Sequence, residues 1–316
     1  MTIRRLPEHV VNRIAAGEVI ERPASAVKEL VENSLDAGST RVDVQVVAGG
    51  AKSIVVIDNG MGIPSNQITT AFERFATSKI DESSDLISIP TLGFRGEALP
   101  SIASVARVIT VSMSTEAAYG AKYHVDFGKP GQVEKIGAPQ GTRIEVTDLF
   151  NNTPARLKFL GSAGRELARV QSILASLALV NPHVAFNLVA DGRDRLRTIG
   201  SGKLMDSIAG VYGQKIADQM IPLEPGGSSA FAVDGVVSSP SLTRANRMYI
   251  TISVNGRWIQ SRRLSYAIEQ AYHGFLPERR FPLALLRIRT PLEDVDPNVH
   301  PAKAQVRFLR EDLVFS

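Results

Sequence analysis

Glu29 and Asn33 stand four residues apart, the spacing that brings two side chains together on one helical face. A carboxylate there can orient and deprotonate a water, and an amide oxygen can ligate a hard cation such as Mg2+. A solvated polar helix face would read the same way in isolation. Asp58 closes the apolar run Ile54–Ile57 and enters Asn59-Gly60-Met61-Gly62, whose glycines let the backbone approach a flat ligand closely. An ionised carboxylate only accepts hydrogen bonds, which suits the amino group of adenine, although Asp-Asn-Gly is equally a common hairpin turn. In Leu92-Gly93-Phe94-Arg95-Gly96-Glu97-Ala98-Leu99 a glycine-rich loop feeds a helix start, where free N–H groups and the dipole favour phosphate. Arg95, or Lys79 within Thr77-Ser78-Lys79, adds positive charge to that cradle. Gly141-Thr142 is the fourth segment. In this order the four describe an ATP site without a Walker loop. Gly200-Ser201-Gly202-Lys203 lacks the G-x-x-x-x-G-K-[ST] spacing and reads as a linker.

The elements that must position these residues are legible from periodicity. Leu30, Val31 and Leu35 form an apolar stripe at helical spacing after Pro23, and Gly38 supplies a stop. Glu29, Asn33 and Asp36 fall on the opposite side of that helix. Val42, Val44 and Val46 alternate as a strand, Gly49-Gly50 offers a turn, and Ile54–Ile57 returns as a buried strand that delivers Asp58. Further strands are expected near Arg107–Met113, Lys122–Phe127 and Thr142–Thr147, and a helix over Arg165–Val180. The pattern predicts an α/β layer fold with largely antiparallel pairing. Beyond Gly200–Lys203, strands near Phe231–Val237, Tyr249–Val254 and Leu283–Arg289 with a helix at Arg263–Tyr272 make a small second α/β unit.

Composition narrows the class. At 316 residues, 44% hydrophobic and 22% charged, the chain can fill two globular cores. No apolar run approaches the roughly 18 residues of a membrane span, and no signal-peptide core follows the basic start. With no cysteine and five scattered histidines, disulfides are excluded and a zinc site is disfavoured. The net charge of +4 is unevenly placed: Arg244–Ser316 carries twelve basic and seven acidic residues. Positive charge at one end suits a polyanion such as DNA, as it also suits an ordinary solvated surface.

Taken together, these motifs resemble the MutL family of DNA mismatch-repair ATPases, of the superfamily named for gyrase, the heat-shock chaperone, histidine kinase and MutL (GHKL). Gly93–Leu99 is identical to the family signature, and the resemblance runs from Asn12-Arg13-Ile14-Ala15-Ala16-Gly17-Glu18 through Asn152-Thr153-Pro154-Ala155-Arg156 to Asn298-Val299-His300-Pro301-Ala302-Lys303. It implies an α+β sandwich, a GHKL (Bergerat) ATPase domain at residues 1–203 with an N-terminal arm, and a smaller ribosomal protein S5 domain 2-like unit at 204–316. It implies that Glu29 is the general base of Mg2+-dependent ATP hydrolysis and that Asn33 holds the metal. Asp58 with Thr142 would read adenine, beside Ala37, Gly60, Met61 and Gly62. Thr77, Ser78 and Lys79 with Leu92, Gly93, Phe94, Arg95, Gly96, Glu97 and Ala98 would cover the phosphates, and Lys303 would reach the γ-phosphate. Arg262 matches the family position linked to DNA binding; Arg257 and Arg263 join it on charge alone. The expected partners are DNA without sequence preference, a second copy on ATP binding, a mismatch-recognition protein of the MutS type and downstream repair enzymes, in the cytoplasm. The chain is expected to continue through a linker to a dimerisation domain. Two other readings are a type II topoisomerase ATPase region, whose lysine sits in a Gln-Thr-Lys rather than a His-Pro-Ala-Lys context, and a scaffold that binds nucleotide without turnover. Pro100, where the family more often has a small residue, puts the start of the lid helix in question.

Overall fold

The computed structural model describes residues 19–79, 91–228, 231–296 and 306–310, together with Arg4, Val314 and Phe315. The N-terminal arm, apart from Arg4 and its last residues, and Lys303 with its His-Pro-Ala-Lys setting lie outside the described residues. The chain divides into two compact units, and the main change from the first to the second falls between Arg197 and Thr198. Ala175–His183 also belongs to the second.

The first unit begins with helix α1 (Pro23–Asp36), β1 (Arg41–Val47) and β2 (Ser53–Asp58), followed by helix α2 (Ala98–Val105). Strands β3 (Arg107–Met113), β4 (Gly120–Asp126), β5 (Lys129–Pro130), β6 (Glu134–Ile136) and β7 (Gly141–Thr147) come next. Helix α3 (Pro154–Lys158) and helix α4 (Ala163–Val180), whose residues from Ala175 on belong to the second unit, lead to the hairpin β8 (Ala185–Ala190) and β9 (Arg193–Arg197). The strands form one nine-stranded sheet ordered β5-β4-β3-β7-β2-β1-β8-β9, with β6 beside β4. Among the described strands of this sheet only the β1–β8 pair is parallel, so it is mixed and largely antiparallel, as the alternation predicted.

Alternation in β1 puts Val42, Val44 and Val46 at no more than 1% exposure, and α1 seals the same core with Val27, Leu30 and Val31. Each such side chain contributes about 1.5–3 kcal/mol by leaving water, which fixes α1 against β1 and β2. Pro23 occupies the first turn of α1, where its missing N–H costs no bond. The helix stops at Gly38, in the left-handed region at φ 72°, whose N–H bonds the Leu35 carbonyl at 3.0 Å. Helix α2 starts at Ala98 despite Pro100, because the Pro100 ring still lies in the first turn.

In the second unit, helices α5 (Leu204–Tyr212) and α6 (Gln214–Ala217) precede β10 (Met220–Ser228), β11 (Phe231–Ser238) and β12 (Thr243–Arg244). Then come β13 (Ile250–Val254), β14 (Arg257–Ile259), helix α7 (Arg262–Ala271), β15 (Phe281–Pro282), β16 (Ala284–Arg289), β17 (Val295–Asp296) and β18 (Arg307–Phe308). A five-stranded sheet ordered β10-β11-β16-β13-β14 carries a core of Ile252, Val254, Ile259, Leu264, Ile268 and Ile288. Strands β13 and β16 run parallel and α7 crosses between them, capped by Ser261, whose hydroxyl accepts from the Leu264 N–H at 3.1 Å.

Candidate nucleotide site

Every described residue of the predicted ATP site belongs to the first unit. The polar side of α1 is not the wet surface that its spacing alone allowed. Lys28, Glu29, Glu32 and Ser34 are all buried, with Glu29 at 6% exposure. Burying four polar side chains on one helix is costly unless they are paired or used.

Asp58 ends β2 inside the sheet, opposite Val42 of β1 and Thr142 of β7, so Asp58-Asn59-Gly60 is not a hairpin turn. The β1–β2 connection lies elsewhere, at Ala48–Lys52. Asp58 Oδ1 accepts from the N–H of Gly60 at 2.9 Å and of Thr142 at 3.2 Å, and Oδ2 accepts from the Ser34 hydroxyl at 2.7 Å. A carboxylate has about four acceptor positions, so one is left for a ligand amino group. Thr142 contributes its backbone here, while its hydroxyl shares a 2.9 Å hydrogen bond with Ser112. The Met61 N–H donates to the Ala37 carbonyl at 3.0 Å, binding the Gly60–Gly62 loop to the end of α1. A Cβ on Gly60 would lie 2.9 Å from that of Ala37, so only glycine fits there. Met61 itself is 59% exposed beside this loop.

A second cluster gathers at the end of α1. Asp36 accepts from the N–H of Leu92 at 2.8 Å and of Gly93 at 2.9 Å, and pairs with the Lys79 ammonium at 2.5 Å. Lys79 also donates to Asn33 Oδ1 at 3.0 Å. Thr77 Oγ1 accepts from the Lys79 N–H at 3.2 Å, and the Phe75 N–H donates to the Gly96 carbonyl at 3.1 Å. Gly96 lies at φ 61°, where an added Cβ would run into the Ala76 backbone. The glycine-rich loop and the Thr77–Lys79 segment are thus one packed unit. Phe94 is buried within it, the Arg95 guanidinium lies 5.7 Å from the Phe94 ring centroid, and Glu97 precedes α2 as its cap position. Ser78 is exposed between the half-buried Thr77 and Lys79.

These groups suit the ligands expected of them. Two backbone N–H groups and an ammonium converge on carboxylate oxygens of Asp36, the donor set that a phosphate oxygen takes. The Asn33 oxygen already receives a cationic group, Lys79, where a divalent cation would bind. Among the described residues no three Asp, Glu or His cluster as a metal site. A single protein oxygen is what Mg2+ needs when phosphates and waters complete its octahedron. Sequence reasoning placed Asp36 on the polar side but gave it no role, and it passed over Ser34 and Lys28. Burial was the missing signal for Ser34 and Lys28, and contacts with residues distant in sequence were the missing signal for Asp36.

In the second unit Arg262 and Arg263 are exposed at the start of α7, with the Arg263 guanidinium 4.0 Å from the Phe315 ring centroid. Arg257 departs from the expectation: it is 6% exposed within β14 and offers no open phosphate contact. The charge count also overstated the free positive surface. Arg287 and Arg289 both pair with Asp234, Arg247 with Glu269, and Arg310 with Asp294.

A mixed sheet backed by helices, with polar groups of α1 facing a glycine-rich lid, defines the GHKL class of ATPase fold. Residues 20–153 match the family described as histidine kinase-, DNA gyrase B-, and HSP90-like ATPase, and residues 208–316 match the DNA mismatch repair protein C-terminal domain. Along nearly its whole length the chain is similar to MutL DNA mismatch repair proteins. It is 48% identical over 312 residues to the DNA mismatch repair protein MutL of Shouchella clausii, covering 99% of this chain and 47% of that protein. To the MutL of Heliobacterium modesticaldum it is 45% identical over 309 residues, 98% of this chain and 47% of that one. The chain therefore spans about half the length of these relatives. The Aquifex aeolicus MutL ATPase domain complexed with ADP superimposes with a TM-score of 0.67 at 29% identity, covering 87% of this chain and 95% of that one. The N-terminal domain of a DNA repair protein gives 0.83 at 25% identity, over 96% and 94%.

Proposed function

We propose that this chain binds and hydrolyses ATP and uses the nucleotide state to control pairing with a second copy and contact with DNA during mismatch repair. The observation that carries the reading is that α1 presents Glu29, Asn33 and Asp36 on one side and ties Asp58 to it through Ser34, with Lys79 and the Leu92–Gly93 amides tied to its end. In this reading Asp58 accepts from the adenine amino group while Gly60 and Gly62 keep the backbone close to the ring. Lys79 and the amides of Leu92 and Gly93 transfer from Asp36 to phosphate oxygens, closing the lid. Asn33, relieved of Lys79, turns its oxygen to the metal, and bound Mg2+ would supply charge neutralisation on the phosphates. Glu29, shielded from bulk water, orients the attacking water and takes its proton. Lys303 is proposed to contact the γ-phosphate.

Arg262 and Arg263 are proposed to contact DNA phosphates, which gives affinity without sequence preference. A mismatch-recognition partner of the MutS type, downstream repair enzymes and a cytoplasmic setting complete the proposal. No described helix is long and apolar enough to cross a membrane. The test is Glu29→Gln: ADP binding should stay within about twofold while phosphate release falls at least about 100-fold. Continued hydrolysis would place the base elsewhere.

A further inference from the structure

Lys28 has no part in the reading above, yet it is a lysine at 6% exposure, packed between two buried carboxylates. Its ammonium lies 2.7 Å from Glu32 Oε1 and 3.7 Å from Glu29 Oε1. Neither approach has the alignment of a hydrogen bond. The contact is one of charge, and the closer partner is the carboxylate one turn further along α1. We propose that Lys28 is a positioning residue for Glu29: it holds that carboxylate ionised and in place, while Glu32 keeps the ammonium too far away to quench it.

The physical case runs through the three charges together. An ammonium 3.7 Å from Glu29 Oε1 favours the charged form of that carboxylate. A protonated Glu29 would be a donor and could not take a proton from water. A tight Lys28–Glu29 pair would err in the opposite direction, since the carboxylate would then hold the ammonium instead of the water. Glu32, at i+4 from Lys28, has the helical geometry for the close contact. Glu29, at i+1, is left beyond hydrogen-bond reach but well inside the range of the ammonium's field.

This inference rests on Glu29 being the general base, and the experiment separates the two. Steady-state ATP hydrolysis and ADP affinity are measured on the 316-residue chain for Lys28→Gln, Lys28→Arg, Glu29→Gln and the double variant Lys28→Gln/Glu29→Gln. Lys28→Gln should lower kcat about 10- to 100-fold with KM and the ADP Kd within about twofold. Lys28→Arg should recover kcat to within about fivefold of the parent, because the charge is restored. The double variant should be no slower than Glu29→Gln, because a residue acting through Glu29 has nothing left to act on. Where Lys28→Gln alone does not fold, Lys28→Gln/Glu32→Gln replaces the ion pair with an amide pair of similar length and should show the same loss of kcat. Parallel loss of kcat and ADP binding, or unchanged kcat with Glu29→Gln inactive, overturns the role of Lys28 alone. A Glu29→Gln variant with full activity overturns the base assignment itself.

Discussion

The substitution Asp58→Asn gives the sharpest test of the adenine contact proposed for Asp58, because the surroundings accept an amide while its polarity toward a ligand is reversed. Asp58 Oδ1 is fixed by two backbone donors, Gly60 and Thr142. The substituted side chain would keep its carbonyl oxygen there and place its amide nitrogen where Oδ2 now meets Ser34. The Ser34 hydroxyl can then turn its proton to the Leu30 carbonyl, 3.2 Å away, and accept from the new amide. No buried polar group is stranded, so the melting temperature should change little. Only the ligand-facing polarity inverts, from acceptor to donor. A hydrogen bond to a charged group contributes about 1.5–3 kcal/mol, so ADP should bind about 10- to 150-fold more weakly to Asp58→Asn. Inosine diphosphate, with an oxo group in place of the amino group, should lose far less or gain. Titration calorimetry of both nucleotides against both proteins gives the selectivity ratio, which should fall at least about tenfold in the variant. If Asp58→Asn binds ADP as the parent does, or the ratio does not move, Asp58 does not read the base.

Asp36→Ala should leave Lys79 and the Leu92 and Gly93 amides without their acceptor. We expect a loss of about 2 kcal/mol in denaturant unfolding without nucleotide, and fast amide exchange at Leu92 and Gly93. Both effects should shrink with saturating ADP and Mg2+, and an unchanged midpoint would show that Asp36 anchors nothing. In the second unit, burial and then the neighbouring Tyr249 push the Tyr212 hydroxyl up from 10.0 to about 12. The folded state therefore favours the neutral phenol. Its contribution to stability is complete below pH 10 and is lost as pH rises from 10.0 to about 12, and Tyr212→Phe should flatten thermal-melt data over that window.

What the sequence made legible was the periodic part of the fold. Strict alternation at Val42, Val44 and Val46 and the stripe Leu30, Val31, Leu35 each allow one period and one buried face, so β1, β2 and α1 could be placed from the residues alone. The strand pair β8–β9 and the helix Leu204–Tyr212 went unplaced. Arg193-Asp194-Arg195-Leu196-Arg197 pairs as an edge strand through its backbone, while its side chains look like loop. The site followed the same division. Residue types at fixed spacing named Glu29, Asn33, Asp58 and the glycine-rich loop as candidates, because each has a chemistry that can be named without knowing its neighbours.

Asp36, Lys28 and Arg257 could not be read in that way, since their meaning depends on partners distant in sequence or on burial. A carboxylate near the end of a helix is ordinarily a solvated group. Asp36 becomes part of the site only because the fold returns Lys79 and the Leu92–Gly93 amides to it from 43 to 57 residues away. Arg257 shows the reverse, counted as surface charge until β14 enclosed it. Net charge reports how many cations a segment holds, whereas a binding surface depends on how many lack an internal partner. Asp234 alone takes up two arginines of β16, Arg287 and Arg289. The positive surface that the second unit can offer a polyanion is therefore set by its acidic residues as much as by its basic ones.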